Sequence, residues 1–367
     1  MNLEKGRITG RQFAFLLAGF IQGSIFLLSF VTNLTKHDTW LALLAAVTLI
    51  IPYTAVYFTI SKKFPDKNII QINDEVFGRY LGKIISLYYI IYFNIILSLN
   101  LKDLGGFYSS YLIQDQPVDY FTVVFIAVLS YLLWKGIENL ARLAYLFVGA
   151  AYFIIVSTTL MLMPQMQLSN FLPVFDVSVK DFVKGAHLIA SLPYAEMITF
   201  LMITPAVNDK KSLVKNAYLG LSLASVSFFI VVFRDTAVLG NLEPILASPA
   251  FEAVRLINIT GIFTRMDILI GVGNTLLVFL KCGVFFYASV LSVAQFCGLK
   301  DYKTVIFPLG VLSVVLASAL YESTIDNMVV TQITEILSTM MLQFIIPPVT
   351  LLVAKLRKLP GREAVKN

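Results

Sequence analysis

The side chains that could do chemistry in this 367-residue chain are polar or ionisable groups placed inside long apolar stretches. Glu196 and Lys281 are the clearest examples, because an ionisable group within a membrane span is costly unless it is paired, and it usually marks a functional position. The sequence has no nucleophile elbow, phosphate-binding loop or paired catalytic carboxylates, and it has only two cysteines and two histidines. We therefore expect binding rather than enzymatic catalysis, with no metal and no cofactor.

Two of the apolar stretches are interrupted at matching places, over residues 18–24 and 190–196. A spanning helix needs about 20 apolar residues, and an interruption exposes backbone groups that lipid cannot satisfy. Such interruptions persist where they line a cavity. A pair of them five helices apart is typical of a transporter core built as an inverted repeat, with its binding site at the bilayer midplane.

The first interruption allows two interpretations. Gly19 and Gly23 are four residues apart, which is the spacing of a small-residue face that packs against another helix. Gln22 at mid-span favours the second interpretation, in which the helix unwinds. The N–H groups of Gly23 and Ser24 would then begin a second half-helix and bind a carboxylate at its positive end.

The second interruption combines Pro193, which removes a helix donor, with Glu196 three residues later. A functional or gating role for Glu196 and a purely structural ion pair are both open. Further polar or aromatic positions lie deep in the third, sixth and eighth spans. The predicted ligand-binding residues are Gly19, Gln22, Gly23, Ser24, Tyr92, Ser191, Tyr194 and Asn274. Because these are small, aromatic or uncharged, we expect a small neutral amino acid as the ligand.

The composition is that of a membrane protein: 58% of the residues are hydrophobic and 14% are charged. Ten spans are predicted, at about 11–34, 39–60, 83–112, 117–135, 139–163, 182–206, 214–234, 265–296, 304–321 and 329–354. With both termini in the cytoplasm, twenty of the 28 basic residues fall on inner segments and seven on outer ones, as the positive-inside rule requires. The net charge of +6 thus reflects topology and predicts no nucleic-acid partner.

The loops leave no room for a soluble domain, so residues 1–367 are predicted to form one membrane domain. Its repeats would cover about 11–163 and 182–354, with cytoplasmic tails at 1–10 and 355–367. The basic segment 61–82 is either an amphipathic helix at the membrane face or an ordinary connecting loop. The outer segment 234–263 is expected to contain one or two short helices over the mouth of the bundle.

Five short motifs, in order along the chain, resemble those of the spore germination permease family, the B subunits of GerA-type germinant receptors in the amino acid–polyamine–organocation superfamily. They are the opening Ile8–Gln12, the stretch Gln22–Ile25, the G-x-E-x-x-A-R of Gly136–Arg142, the sixth-span stretch Ser191–Glu196, and Glu252–Asp267 with its final R-x-D. Gln22 stands where the family has an apolar residue, and Pro193 is outside the usual pattern.

This resemblance implies an all-α polytopic membrane protein with ten transmembrane helices. Its fold would be a leucine-transporter-like five-plus-five inverted repeat with helices 1 and 6 interrupted. It also implies a small germinant, often an amino acid, as ligand. An A subunit and a lipoprotein C subunit would be partners in the spore inner membrane. The competing interpretation is a proton- or sodium-coupled amino-acid transporter.

Lys281 lies near the middle of the predicted eighth span, too deep to reach either membrane face easily, and it has two candidate partners. In the leucine-transporter-like fold, sodium-coupled members hold a sodium ion between the first and eighth helices, so the Lys281 ammonium could occupy that place beside the carbonyls of Gly19 and Phe20. The alternative is a direct ion pair with Glu196. Either arrangement supplies a fixed internal cation, and ligand binding should then not depend on sodium.

Overall fold

The computed structural model describes residues 6–114, 116–257, 266–321 and 335–360, the last range without side chains before residue 340. In these ranges it is almost entirely helical, and its one extended contact is an isolated bridge. The α-helices are α1 Gly10–Gln22, α2 Leu28–Thr35, α3 Thr39–Lys63, α4 Ile69–Phe77, α5 Arg79–Phe107, α6 Val118–Trp134, α7 Ile137–Leu162, α8 Val179–Ile189, α9 Leu213–Leu239, α10 Pro249–Arg255, α11 Asp267–Phe296, α12 Ile306–Leu320 and α13 Ile346–Leu356.

Both predicted interruptions are present. A 3₁₀ turn at Ile25–Leu27 separates α1 from α2, and α8 gives way to a π-helical stretch at Ala190–Tyr194 and a 3₁₀ stretch at Ala195–Met202. Within the described ranges, six helical stretches are long and apolar enough to cross a membrane, the first of which, Gly10–Lys63, contains two predicted spans. Val118–Trp134 and Met340–Leu356 are shorter apolar helices, so the number ten stays a prediction.

Helix α1 lies at the centre of the bundle, where it packs against α9, α7 and α11. From Phe13 to Gln22 all of its side chains except that of Phe15 are buried, as expected for a helix with protein on every side. Close packing with α9 depends on Gly220, because a Cβ there would lie 2.6 Å from the Ala14 carbonyl oxygen. Small residues at such crossings let two backbones approach in the absence of a hydrophobic force between helices in lipid.

The predicted cytoplasmic end of α1 is anchored to the end of the sixth span. Ile8 donates its N–H to the Ala206 carbonyl (2.9 Å) and accepts from the Asn208 N–H (3.0 Å). Thr9 and Gln12 then form a capping box that starts α1, with bonds of 2.8 and 3.2 Å. The opening motif Ile8–Gln12 is therefore an anchor followed by a helix start signal.

The charged side chains of Glu138 and Lys210 bind backbone groups at this end. The N–H of Arg7 donates to the carboxylate of Glu138 (2.8 Å), which also pairs with Arg142 one helical turn later (3.3 Å). Gly136, at φ 100°, has the backbone conformation that lets α7 begin at the next residue. Lys210 donates to the carbonyls of Thr204 (2.6 Å) and Pro205 (2.9 Å), and burial lowers its pKa.

The two longer loops contain the elements expected of them. Helix α4 lies within 61–82, and its apolar residues are buried in the main core against α5. The predicted outer segment contains a 3₁₀ stretch at Gly240–Ile245 and helix α10, and α10 packs with Phe107 and Ile270 in a second, smaller apolar cluster. Arg265 of the R-x-D motif and residues 1–5 and 361–367 of the predicted tails lie outside the described residues.

We expect Gly220→Ala to lower the melting temperature of the detergent-purified protein, because the added methyl group meets the Ala14 carbonyl and overpacking of this kind costs about 1–3 kcal/mol. The matched control is Gly149→Ala on α7, where a Cβ would meet no atom within 4 Å. Gly149→Ala should leave the melting temperature unchanged or raise it. Equal effects of the two substitutions would show that the α1–α9 contact does not limit stability.

Candidate functional site

The two interruptions and α11 meet at a buried ion pair. The Lys281 ammonium lies 2.7 Å from Oε2 of Glu196, and the exposed fractions of the two side chains are 3% and 1%. The same ammonium donates a hydrogen bond to Oγ of Ser24, directly after α1. The Phe20 and Phe285 rings lie 5.7 and 6.0 Å from it. One charged group thus joins α11 to both interrupted spans.

Two partners were considered for Lys281, and in the structure it pairs with the Glu196 carboxylate. The Gly19 carbonyl instead accepts the Gly23 N–H at 2.9 Å, so it remains part of the regular helix. Removing two charges from water is costly, and their attraction offsets that cost only when the geometry is good and further hydrogen bonds are made. Ser24 supplies such a bond.

The backbone at the first interruption differs from the predicted arrangement. The N–H groups of Gly23 and Ser24 donate to the carbonyls of Gly19 (2.9 Å) and Ile21 (3.2 Å), and they close the end of α1. They do not begin the next half-helix, so in this conformation they are not available to a carboxylate. The reason is that α1 continues to Gln22 and the chain passes through a 3₁₀ turn before α2.

Gly19 and Gly23 have a packing role, which was the other interpretation of their spacing. A Cβ on Gly19 would lie 2.6 Å from Cδ1 of Leu280, and one on Gly23 would lie 2.7 Å from the Leu277 carbonyl oxygen and 2.9 Å from Cβ of Lys281. Glycine at these two positions lets α11 approach closely enough for its lysine to reach Ser24.

At the second interruption Pro193 lies within the π-helical stretch, where its missing N–H leaves a gap in the hydrogen-bond ladder. The 3₁₀ stretch that follows contains Glu196, which the changed winding turns toward α11. Before the proline, Oγ of Ser191 lies 3.3 Å from Nε2 of His187, one turn back on the same span.

A cavity of about 60 Å³ lies beside the ion pair. Helix α5 contributes Ile96, Leu99, Asn100 and Asp103, whose spacing puts them on one helical face. The remaining wall comes from the two interruptions, the start of α2 and α11: Gly23, Ser24, Phe26, Leu27, Phe30, Leu192, Glu196 and Lys281. The lining thus combines an apolar surface with a few convergent polar groups, as in small-molecule sites.

A second cavity of about 170 Å³ continues from the first toward the predicted outer end. The two share Phe26, Phe30 and Asp103. Its outer wall includes Ala247 and Ser248 of the loop before α10. The two cavities thus adjoin at these shared residues, between that loop and the ion pair.

Four of the predicted site residues line the inner cavity: Gly23, Ser24, Glu196 and Lys281. The structure places the others outside that lining. Gly19 packs against α11, and Tyr92 accepts a hydrogen bond from Gln343 at 2.8 Å. The Tyr194 ring lies 6.3 Å from that of Phe228 on α9.

Three other predicted residues are buried away from this lining: Gln22, Ser191 and Asn274. The side-chain amide of Gln22 has no hydrogen-bond partner among the described residues. Sequence reasoning missed Asp103, which it did not single out at the outer end of the third span. The spacing of Asn100 and Asp103 with the apolar residues of the same α5 face could have indicated it.

We expect Lys281→Met and Glu196→Gln each to lower the free energy of unfolding strongly, because losing one partner of a buried pair leaves an uncompensated charge and costs about 3–5 kcal/mol. The double variant removes both charges and should be more stable than the sum of the two losses predicts. Melting temperatures of the four proteins in detergent measure this, with Lys215→Met, an exposed lysine on α9, as the control. Additive losses would mean that the two side chains do not stabilise each other.

Comparisons with known proteins agree on the membrane architecture and on the biological setting. The spore germination protein family matches residues 7–325. Spore germination protein KB of Bacillus subtilis (strain 168) is 25% identical over 335 residues, covering 87% of this chain and 88% of the relative. This family consists of permease-like germination proteins and not of enzymes.

Two solved transporters share the fold. The crystal structure of MhsT in complex with L-phenylalanine has a TM-score of 0.63 at 14% identity and covers 97% of this chain and 89% of that one. A Na⁺-coupled sialic acid symporter in a substrate-bound outward-open state has a TM-score of 0.63 at 11% identity, with coverage of 93% and 80%. The chain therefore belongs to the spore germination protein family and is a germination-related integral membrane protein with a leucine-transporter-like fold.

Proposed function

We propose that this chain is the germinant-sensing membrane subunit of a spore germinant receptor. It would bind a small neutral amino acid between the interrupted first and sixth helices. The observation that carries this proposal is the inner cavity, where Ser24 from one interruption and Glu196 from the other meet Lys281. Membership in a germination family supports it, as does the L-phenylalanine bound by the fold relative MhsT.

The cavity contains groups suited to the carboxylate of an amino acid. A lysine ammonium has three N–H donors. Among the described residues it donates a hydrogen bond to Ser24 and forms an ion pair with Glu196 at 2.7 Å. A further N–H donor is left for a ligand carboxylate. The proposed carboxylate contact is therefore with Lys281 and not with the backbone N–H groups of Gly23 and Ser24, because those groups donate to helix carbonyls in this conformation.

The size of the cavity favours a small ligand. Its volume of about 60 Å³ is far below the ~300–1,000 Å³ of sites for drug-sized molecules. The buried Gln22 amide supports a second conformation, because an unpaired polar group inside a protein is costly and would gain partners if the interruption rearranged around a ligand. Gln22, Tyr92, Ser191, Tyr194 and Asn274 are proposed to approach the ligand only in that conformation.

Binding would act by shifting a conformational equilibrium that an A subunit and a lipoprotein C subunit transmit in the spore inner membrane. A ligand shifts such an equilibrium only through its differential affinity for the two states. The interruptions supply this difference, because the same residues line the cavity and connect the half-helices that would move. The ends of the chain would both lie in the cytoplasm.

A coupled amino-acid transporter is the second candidate, and the Na⁺-coupled symporter among the fold relatives favours it. Uptake of labelled amino acid into proteoliposomes separates the two. A sensor binds without net accumulation, whereas a coupled transporter accumulates substrate when a sodium or proton gradient is imposed.

We expect a small neutral amino acid from a panel of glycine, L-alanine and L-valine to raise the melting temperature of the purified protein equally in sodium and in choline buffers. The fixed Lys281 ammonium makes an added cation unnecessary. A ligand that binds only the folded state stabilises it by RT ln(1 + [L]/Kd), so titration yields the affinity.

Ser24→Ala removes the uncharged hydroxyl that accepts a hydrogen bond from Lys281 in the cavity. It should weaken the affinity for the amino acid by about tenfold, the factor that corresponds to 1.4 kcal/mol. Lys215→Met should leave the affinity unchanged. Spores carrying Ser24→Ala should need a correspondingly higher germinant concentration. Stabilisation that rises steeply with sodium, or no stabilisation by any of the panel, would contradict the proposal.

A further inference from the structure

A buried polar cluster lies near the outer end of α9, apart from the ion pair at the inner cavity. Arg234 donates from Nε to Oδ1 of Asp235 at 2.8 Å and from Nη1 to Oγ1 of Thr158 on α7 at 3.2 Å. Thr236, the next residue of α9, donates its hydroxyl to Oε2 of Glu243 at 2.8 Å. All five residues are buried, and the proposed function uses none of them.

Glu243 reaches this cluster because the chain reverses at Gly240. Gly240 has a φ of 52°, a conformation that favours glycine, and its N–H donates to the Thr236 carbonyl at the end of α9. The 3₁₀ stretch Gly240–Ile245 then packs against α2, where the Asn33 amide donates to the Pro244 carbonyl at 3.3 Å. The stretch is thus attached to α9 through Glu243 and to α2 through its backbone.

The 3₁₀ stretch leads directly into the wall of the outer cavity. Ala247 and Ser248 follow it after one residue and line that cavity, to which α2 also contributes Ser29 and Phe30. Ser248 is only 7% exposed. A displacement of the stretch from α2 would therefore displace part of the cavity wall and expose Ser248.

The cluster contains two carboxyl groups and one guanidinium. Asp235 has the closer contact with the guanidinium, at 2.7 Å from Nη2, whereas Glu243 accepts from an uncharged hydroxyl. The charges of Asp235 and Arg234 both act on Glu243, in opposite senses. A buried carboxyl group beside another carboxylate is driven toward its neutral form. This arrangement favours a proton on Glu243 rather than on Asp235.

The other titratable groups next to the 3₁₀ stretch belong to the turn Lys36–Asp38. Lys36 is exposed, and His37 and Asp38 are hydrogen-bonded to the loop before α8, at 2.5 and 3.0 Å. Helix α2 and the turn Leu168–Phe171 also pack against the stretch, and neither has a titratable side chain. His37 is therefore the group that a test of Glu243 must control for, because histidine titrates near neutral pH.

We propose that Glu243 is a proton-binding site that latches the outer wall of the cavities. With the proton bound, Glu243 stays beside Thr236 and the 3₁₀ stretch stays on α2. When the proton passes to water, a second negative charge lies beside Asp235, so the carboxylate moves out to solvent and carries Ala247 and Ser248 with it. The closed form keeps a proton that the open form releases, so low pH favours closing and opening increases as the pH rises.

This inference deepens the proposed function, since it regulates entry to the same cavity, but its test needs no ligand. The experiment measures how fast a cysteine at position 248 reacts with an uncharged maleimide between pH 5 and 7.5. The protein is the full chain in detergent with Ser248→Cys, and with Cys297→Ser to remove the exposed native thiol. Rates are compared with and without Glu243→Gln. The amide keeps an oxygen for Thr236 and cannot ionise, so the pH dependence of the thiol itself cancels in the ratio of the two rates.

We expect the rate with Glu243, divided by the rate with Glu243→Gln, to be lowest at pH 5 and to rise by up to about tenfold per pH unit. Adding His37→Gln to both chains should leave this ratio unchanged. Glu243→Gln should also raise the melting temperature at pH 7.5, because it keeps the closed arrangement without a charge.

A ratio that stays constant from pH 5 to 7.5 would overturn the inference, as would a rise that disappears with His37→Gln. A lower melting temperature of Glu243→Gln at pH 7.5 would show that the fold needs the ionised carboxylate, and it would also overturn the inference. None of these results bears on germinant binding. Conversely, if no amino acid of the panel stabilises the protein, the proposed function fails while the labelling ratio is unaffected.

Discussion

A lysine ammonium in the middle of a membrane bundle must have an acceptor, and the arrangement around Lys281 follows from that requirement. The acceptors are a carboxylate and a hydroxyl, and each lies just after a point where a spanning helix is interrupted. An unbroken helix would use its backbone groups internally and would present its side chains at regular angles. The interruptions instead bring Ser24 and Glu196 to the same ammonium. The two spans and α11 are therefore held in register by one buried charge.

This ion pair can form only because the helices approach one another closely. Gly23 lets the Leu277 backbone come within a distance that any Cβ would prevent, and Gly19, one turn earlier, leaves room for the Leu280 side chain. The spacing of Gly19 and Gly23, which also resembles a ligand-binding glycine motif, is thus a packing motif that brings α11 close to α1. The close approach of α11 determines where the Lys281 ammonium lies.

The described residues at the two ends of the bundle are arranged differently. At the predicted cytoplasmic end the chain before α1 is fixed to the sixth span by Ile8, and Lys210 covers the carbonyls of Thr204 and Pro205. At the other end the cavities lead from the loop before α10 to the ion pair. The cavities thus lie on the loop side of the ion pair, and the hydrogen bonds of Ile8 and Lys210 lie at the opposite end.

The sequence by itself determined the membrane class, the positions of the helices and the two interruptions, because hydrophobic length and proline or glycine punctuation are local properties of the chain. It also indicated that Glu196 and Lys281 need partners and are candidate functional residues, since an ionisable residue within an apolar stretch is costly wherever the helix lies. Only the tertiary structure decided between the two partners of Lys281, because that choice depends on the rotation and spacing of helices far apart in sequence. The same holds for Asp103. It looks like an ordinary residue at the end of a span, and it becomes a cavity residue only when α5 turns that face toward α2 and α11. The surroundings of Gly23 and Tyr194 in this conformation depend on packing for the same reason: which face of a helix meets a cavity and which meets a neighbour is a property of the assembled bundle.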